Sequence, residues 1–144
     1  MMVDASVLAA ILLKEDEAEA FASAIGNAKV VYTTPIAVFE ACAALMRERK
    51  VSAEDATLLV RELLTTAAIQ IVTITDLIAE AAVRAFGRYG KGTKHPARLN
   101  MGDCFSYACA HAWRSPLLFK GSDFERTDVR KALERKPSGK RAQT

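Results

Sequence analysis

Apolar positions along the chain fall into short continuous runs that alternate with longer, one-sided stretches. The opening "MMVDASVLAAILL" carries an apolar run into Asp4, which predicts a strand over Met1 to Val3 and a helix from Ser6 onward. "EDEAEAFASAIG" predicts a helix that Gly26 ends. "AKVVYTT" is β-rich and predicts a second strand. Thr34-Pro35 then opens a helix, with Pro at its first turn, that runs through "IAVFEACAALMRERK". Ser52 caps the next, with Asp55 three positions on, over "SAEDATLLVRELLTTA". "IQIVTIT" predicts a third strand, "DLIAEAAVRAFGRYG" a helix capped by Asp76, and "PLLFKG" a fourth strand. Between the last two lie a loop and one more helix, inside "LNMGDCFSYACAHAW".

Strands alternating with helices imply an α/β fold with a mostly parallel sheet covered on both faces. "VVY" and "IQIV" suit buried central strands. In such sheets functional groups gather beyond the C-terminal strand ends. Asp4 follows the first strand directly, and three residues separate "LLF" from Asp123. Asp103 stands at the mouth of the last helix, where Asp also serves as a cap. That helix precedes the fourth strand, so its N-terminus faces the same rim. Glu40 is the only charge in its helix before Arg47, and Ile36, Ala37, Ala43, Ala44 and Leu45 surround it at helical spacing. A carboxylate on an apolar face needs a partner: either a buried Lys or Arg, or a bound cation.

Four carboxylates meeting from four segments repel one another, and without a counter-charge some take up protons. Mg²⁺ or Mn²⁺ with oxygen ligands resolves this. Such an ion lowers the pKa of a bound water and offsets charge on a phosphoryl oxygen. Asp128 competes with Asp123 for the fourth place, since Gly121-Ser122-Asp123 is also an ordinary turn sequence.

Charge adds a second ingredient. The net charge is only +3, but "RYGKGTKHPAR" carries Arg88, Lys91, Lys94 and Arg98 with no acid. A basic loop of this kind meets phosphates. His95 within it reads as an exposed loop residue. From Glu125 onward seven Lys/Arg stand against three acids. Residues 1–133 form one predicted domain, and residues 134–144 a basic tail.

Composition excludes several classes. No apolar run is long enough to cross a membrane. The N-terminal segment lacks the basic start of a secretory signal, which predicts a cytoplasmic chain. Three cysteines without a CxxC pair, and only two His, point to buried thiols rather than disulfides or zinc. A receiver-type signalling domain needs paired acids after the first strand and an Asp after the third. Here Asp4 is flanked by Val3 and Ala5, and "IVTIT" reaches no Asp before Asp76.

At these residues the sequence resembles the PIN-domain ribonucleases, and among them the VapC toxins of toxin–antitoxin pairs. The matching stretches are "MVDASVLAAILLKEDEAEAF", "TTPIAVFEACAAL", "YGKGTKHPARLNMGDCFSYACA" and "PLLFKGSDFERTDV". The resemblance implies a three-layer α/β/α sandwich with a four- to five-stranded, mostly parallel sheet. It implies a Mg²⁺- or Mn²⁺-dependent endoribonuclease, a homodimer, neutralised by a cognate VapB-like antitoxin. It assigns metal ligation to Asp4 and Asp103, ligation or water positioning to Glu40, the fourth acid to Asp123, and support of Asp4 to Ser6. Ser122 stands where this branch often has another acid. Arg88, Lys91, Lys94 and Arg98 would then guide RNA. Ala56, Leu59, Val60, Leu63 and Leu64 form an apolar stripe that serves the core and offers a seat for an amphipathic antitoxin segment. An antitoxin Lys or Arg in the acidic pocket would compete with the metal. The same fold with inert carboxylates, a pure binding module, is the alternative.

Overall fold

The computed structural model describes residues 1–134. The predicted tail from residue 135 onward lies outside the described residues. Four strands, β1 (Met2–Val3), β2 (Val31–Thr33), β3 (Ile69–Ile71) and β4 (Leu117–Leu118), form one sheet in the order β3-β2-β1-β4. Every pairing is parallel. Lys131 adds an isolated parallel bridge to Leu117 beyond the β4 edge.

The helices are α1 (Ala5–Leu12), α2 (Ala18–Asn27), α3 (Pro35–Arg49), α4 (Ala53–Thr66), α5 (Asp76–Tyr89) and α6 (Met101–Ala112). All of these except α2 start on a side-chain cap. Thr34 caps α3 by accepting from the Ala37 N–H at 2.9 Å, with Pro35 in the first turn, where its missing N–H costs nothing. Ser52 caps α4 through the Asp55 N–H at 3.0 Å.

Pleating splits the core in two. Met2 and Leu117 face one side with α5 and α6, packed among Ala82, Tyr89 and Cys109. Val3, Leu118 and Val31 face the other, against α1 to α4 through Leu8, Ala41 and Val60. Alternation along β1 and β4 therefore gives the sheet a core on each face.

Several sequence expectations change. β3 is an edge strand, not a central one, and Gln70 and Ile71 are exposed. Its apolar content serves one face only, through Ile69. Gly26 does not end α2, which continues to Asn27 and stops where Ala28 turns extended. Thr75 rather than Asp76 caps α5, accepting from the Ile78 N–H at 3.3 Å, and Asp76 is the first helical residue. On α4 only Ala56, Val60 and Leu64 of the apolar stripe are buried, four apart, and Leu59 is 39% exposed. Cys104 and Cys109 are buried, but Cys42 is only partly so.

Candidate active site

β1 ends at Val3, so the next residue leaves the sheet at its C-terminal rim. That residue, Asp4, is the N-cap of α1 and is only 5% exposed. Its backbone N–H continues the ladder to Leu118 O at 3.0 Å, fixing the side chain in register with β4. Asp4 Oδ2 accepts from the Ser6 N–H at 3.0 Å and from the Ser6 hydroxyl at 2.6 Å. Asp4 Oδ1 accepts from the Ser106 hydroxyl at 2.6 Å. A carboxylate has about four acceptor positions, so one on Oδ1 stays available for a cation or water. The Ser6 hydroxyl also accepts from the Lys120 N–H at 3.0 Å, tying the loop after β4 to α1.

Asp103 is at the third position of α6, not at its cap. Asn100 is the cap, and the two form a reciprocal box: Asn100 Oδ1 accepts from the Asp103 N–H at 2.9 Å, and Asp103 Oδ2 from the Asn100 N–H at 3.0 Å. Ser106 lies one turn further along the same helix. One helix therefore presents both Asp103 and the hydroxyl that holds Asp4.

Burial pushes the Asp103 carboxyl up to about 7. The Asn100 hydrogen bond opposes this, and the charges of Asp4, Asp123 and Glu40 add to it. The four acids thus share one electrostatic neighbourhood. The Glu40 carboxyl is also raised, first by burial and then by Asp4. Glu40 reaches the N-terminal end of α6, where a methyl group on Gly102 would overlap its carboxylate. Among the described residues, none of the four acids forms an ion pair with Lys or Arg. Among the described residues, then, no ion pair holds Glu40 there.

The turn at Gly121, whose φ of +95° suits glycine, leads to Asp123 at the start of a short 3-10 turn, Phe124–Arg126. Buried Phe124 packs on Phe119 with ring centroids 5.1 Å apart and anchors that turn. Asp128 belongs elsewhere. It accepts from the Tyr107 hydroxyl at 2.5 Å and faces His111 Nε2 at 3.4 Å and Arg88 Nη1 at 3.7 Å. Tyr107 first, then His111 and Arg88, hold its carboxyl below the usual range.

The basic loop is pinned at both ends. The Lys91 N–H donates to Leu99 O at 2.8 Å, the Leu99 N–H to Tyr89 O at 2.9 Å, and Ala97 and Leu99 are fully buried. Lys91, Lys94 and Arg98 project from it, exposed, and the loop ends directly before Asn100. Arg88 departs from that group: it lies on α5, opposite Asp128 and 4.7 Å from the Tyr89 ring centroid. His95 is not a free loop side chain either. Its Nδ1 accepts from the Ala97 N–H at 3.1 Å, and its ring meets Tyr89 edge-on.

A family model described as PIN domain matches residues 1–130. The chain belongs to the PIN-domain family. Within it, the sequence is 40% identical over 136 residues to a VapC ribonuclease of Mycobacterium bovis, covering 94% of this chain and 100% of that protein. It is 36% identical over 132 residues to Ribonuclease VapC42 of Mycobacterium tuberculosis, covering 92% and 98%. A VapC ribonuclease of Rhizobium meliloti is 36% identical over 138 residues, covering 88% and 97%. The VapC branch is thus the part of the PIN family that this chain resembles over most of its length. The all-parallel sheet and flanking helices are the α/β/α arrangement of a PIN domain.

Sequence reasoning missed Ser106 and Gly102. Ser106 is three positions after Asp103 on the same helix, but its partner Asp4 is 102 positions away. Gly102 carries no readable signal, because its neighbour Glu40 comes from a different helix.

Among the described residues, no group of three or more His, Cys, Asp or Glu side chains is drawn together into a finished metal cage. The donor set nevertheless fits Mg²⁺ or Mn²⁺. Mg²⁺ keeps several waters and takes only one or two protein carboxylates. All four rim groups are oxygen donors, and Asp4 retains an acceptor position. No helix among the described residues is long and apolar enough to cross a membrane.

Proposed function

We propose that this chain is an endoribonuclease that requires Mg²⁺ or Mn²⁺ and acts as the toxin of a toxin–antitoxin pair. The observation that carries the reading is that Asp4, Glu40 and Asp123 all act electrostatically on Asp103, whose carboxyl is pushed up to about 7, while none of the four is paired with Lys or Arg among the described residues. An added cation offsets the mutual repulsion of carboxylates placed this way. The names of the VapC ribonucleases it resembles supply the substrate class.

Asp4, held by Ser6 and Ser106, and Asp103, held by Asn100, are the metal ligands in this reading. When bound, the cation supplies Lewis acidity toward water and a phosphoryl oxygen. Glu40 orients the attacking water, or ligates through it, and Asp123 closes the exposed side of the rim. Lys91, Lys94 and Arg98 steer phosphates toward the carboxylates, which would otherwise repel them. Arg88 takes part less, because Asp128 engages it. A single-stranded or looped RNA suits an open rim better than a duplex, whose grooves are hard to read.

A VapB-like antitoxin fits an apolar groove of about 780 Å³ between α3 and α4, lined by Val38, Phe39, Cys42, Met46, Thr57 and Arg61. Phe39 is 73% exposed there, one position before Glu40 in the chain. An antitoxin Lys or Arg placed on the acidic rim would displace the cation. For a homodimer, α5 and α6 offer exposed Leu77, Val83, Phe86 and Met101. A cytoplasmic location follows from this role.

The test is cleavage of single-stranded RNA with Mg²⁺ or Mn²⁺ and with chelator. Cation-dependent cleavage supports the reading. RNA binding without cleavage under any cation identifies a binding module instead.

A further inference from the structure

We infer that Gly102 is a positioning residue for Glu40: its bare backbone leaves the space in which the Glu40 carboxylate rests against the N-terminal turn of α6. This rests on the reading of Glu40 as part of the acidic site. A Cβ built on Gly102 would overlap Glu40 Oε1 and stand 2.5 Å from both Oε2 and Cδ, far inside contact distance. Glycine is not needed there for its backbone, since Gly102 is helical and has no positive φ. In a helix glycine is less favourable than alanine by about 1 kcal/mol. Gly26 and Gly87, also helical, have open space where a Cβ would be, so close approach is particular to Gly102 among these three.

The overlap involves the far end of a flexible side chain, not backbone. A methyl group at position 102 therefore moves Glu40 and leaves the helices in place. Gly102 is also buried and directly precedes Asp103, so a methyl group here takes the place of the carboxylate beside the acidic rim. The displaced Glu40 carboxylate leaves its seat against the first turn of α6. The fold accepts alanine and the site does not.

The test combines three measurements on wild type, Gly102→Ala, Glu40→Asp and the double variant. Melting temperature reads the fold, Mn²⁺ binding by electron paramagnetic resonance reads the cation site, and RNA cleavage reads the reaction. Gly102→Ala is expected to melt at or above the wild-type temperature. Its cleavage should fall about 10- to 100-fold, as a misplacement of order 1 Å does, and its Mn²⁺ affinity should weaken several-fold. Because both single changes act on one carboxylate, the double variant should be no worse than the worse single variant. Full cleavage and unchanged Mn²⁺ affinity in Gly102→Ala would overturn the inference, and so would fully additive losses in the double variant. If wild type cleaves no RNA, the functional reading fails separately. Mn²⁺ affinity in Gly102→Ala then still decides the role of Gly102.

Discussion

The Ser106 hydroxyl on α6 donates a 2.6 Å hydrogen bond to Asp4 Oδ1 at the start of α1, across 102 positions of sequence. Both residues are almost fully buried. This bond sets the place of the first acid relative to the helix that carries Asp103. Replacing Ser106 by alanine removes a hydrogen bond to a buried charged group, which costs about 1.5–3 kcal/mol. Urea unfolding should show that loss, and RNA cleavage should fall about tenfold through the loosened Asp4. Unchanged stability and unchanged cleavage together would contradict the assigned role.

Asp103→Asn should be more stable than wild type at pH 7 to 8 in chelator. The folded carboxyl titrates near 7, above its unfolded value, so the folded state holds more protons between about pH 4 and 7. Stability contributed by this group is therefore present at low pH and lost as pH rises toward and through 7. Asparagine removes the ionisation and still accepts the Asn100 N–H. Melting temperatures should converge near pH 4 and separate above 7, with the variant higher. A lower melting temperature at pH 8 would contradict this origin of the shift.

The same proton competes with the cation. At sub-saturating Mg²⁺, affinity should rise as pH is raised through about 7, where Asp103 loses its proton. Isothermal titration across pH 6 to 8 measures it. An affinity independent of pH would place the cation away from Asp103.

Asp123→Asn and Asp128→Asn should separate. Asp123 acts on Asp103, so its neutralisation should lower cleavage about tenfold or more and bring the Asp103 titration down. Asp128 is half-exposed and engaged by Tyr107, His111 and Arg88. Its loss should leave cleavage near wild type and cost about 1 kcal/mol or less after solvent screening. Since the folded Asp128 carboxyl is held low, that small contribution is present above its unfolded pKa and fades as pH falls through the folded value. Reversed effects of the two variants on cleavage would exchange their roles.

The strand–helix order was legible because several helix starts carry their own chemistry: Thr34-Pro35, Ser52, and the polar lead-in to α6. The rim was legible because a parallel sheet sends the residue after β1 and the turn after β4 to one end. What was not legible depends on partners far away in sequence. The apolar run of β3 reads the same on an edge as in the centre, since crossover order decides which it is. Asp123 and Asp128 are a few residues apart in one turn-rich segment, and it takes Tyr107 and His111 on α6, with Arg88 on α5, to draw Asp128 away. Ser106 looks like a small core residue until Asp4 is opposite it. Gly102 looks like an ordinary helix-start glycine until Glu40 arrives from α3.

Replacing Lys91, Lys94 and Arg98 together by alanine should weaken RNA binding without changing the fold. Each removed phosphate contact lowers the salt slope by roughly 0.7 on a single strand, so the slope should shrink by about 2 units. Binding in 50 to 200 mM salt, with cleavage blocked by chelator, reads it. An unchanged slope would place the RNA path elsewhere.

The central claim is that the four acids act through a divalent cation on RNA. The direct measurement is cleavage of a single-stranded RNA by the purified protein with Mn²⁺, with chelator, and with Asp103→Asn prepared in parallel. Cleavage should require the cation, stop with chelator, and fall below about 1% of wild type in Asp103→Asn, the size of loss when one preorganised electrostatic group is removed. Cleavage that persists in chelator, or Mn²⁺-dependent cleavage retained by Asp103→Asn, would contradict it.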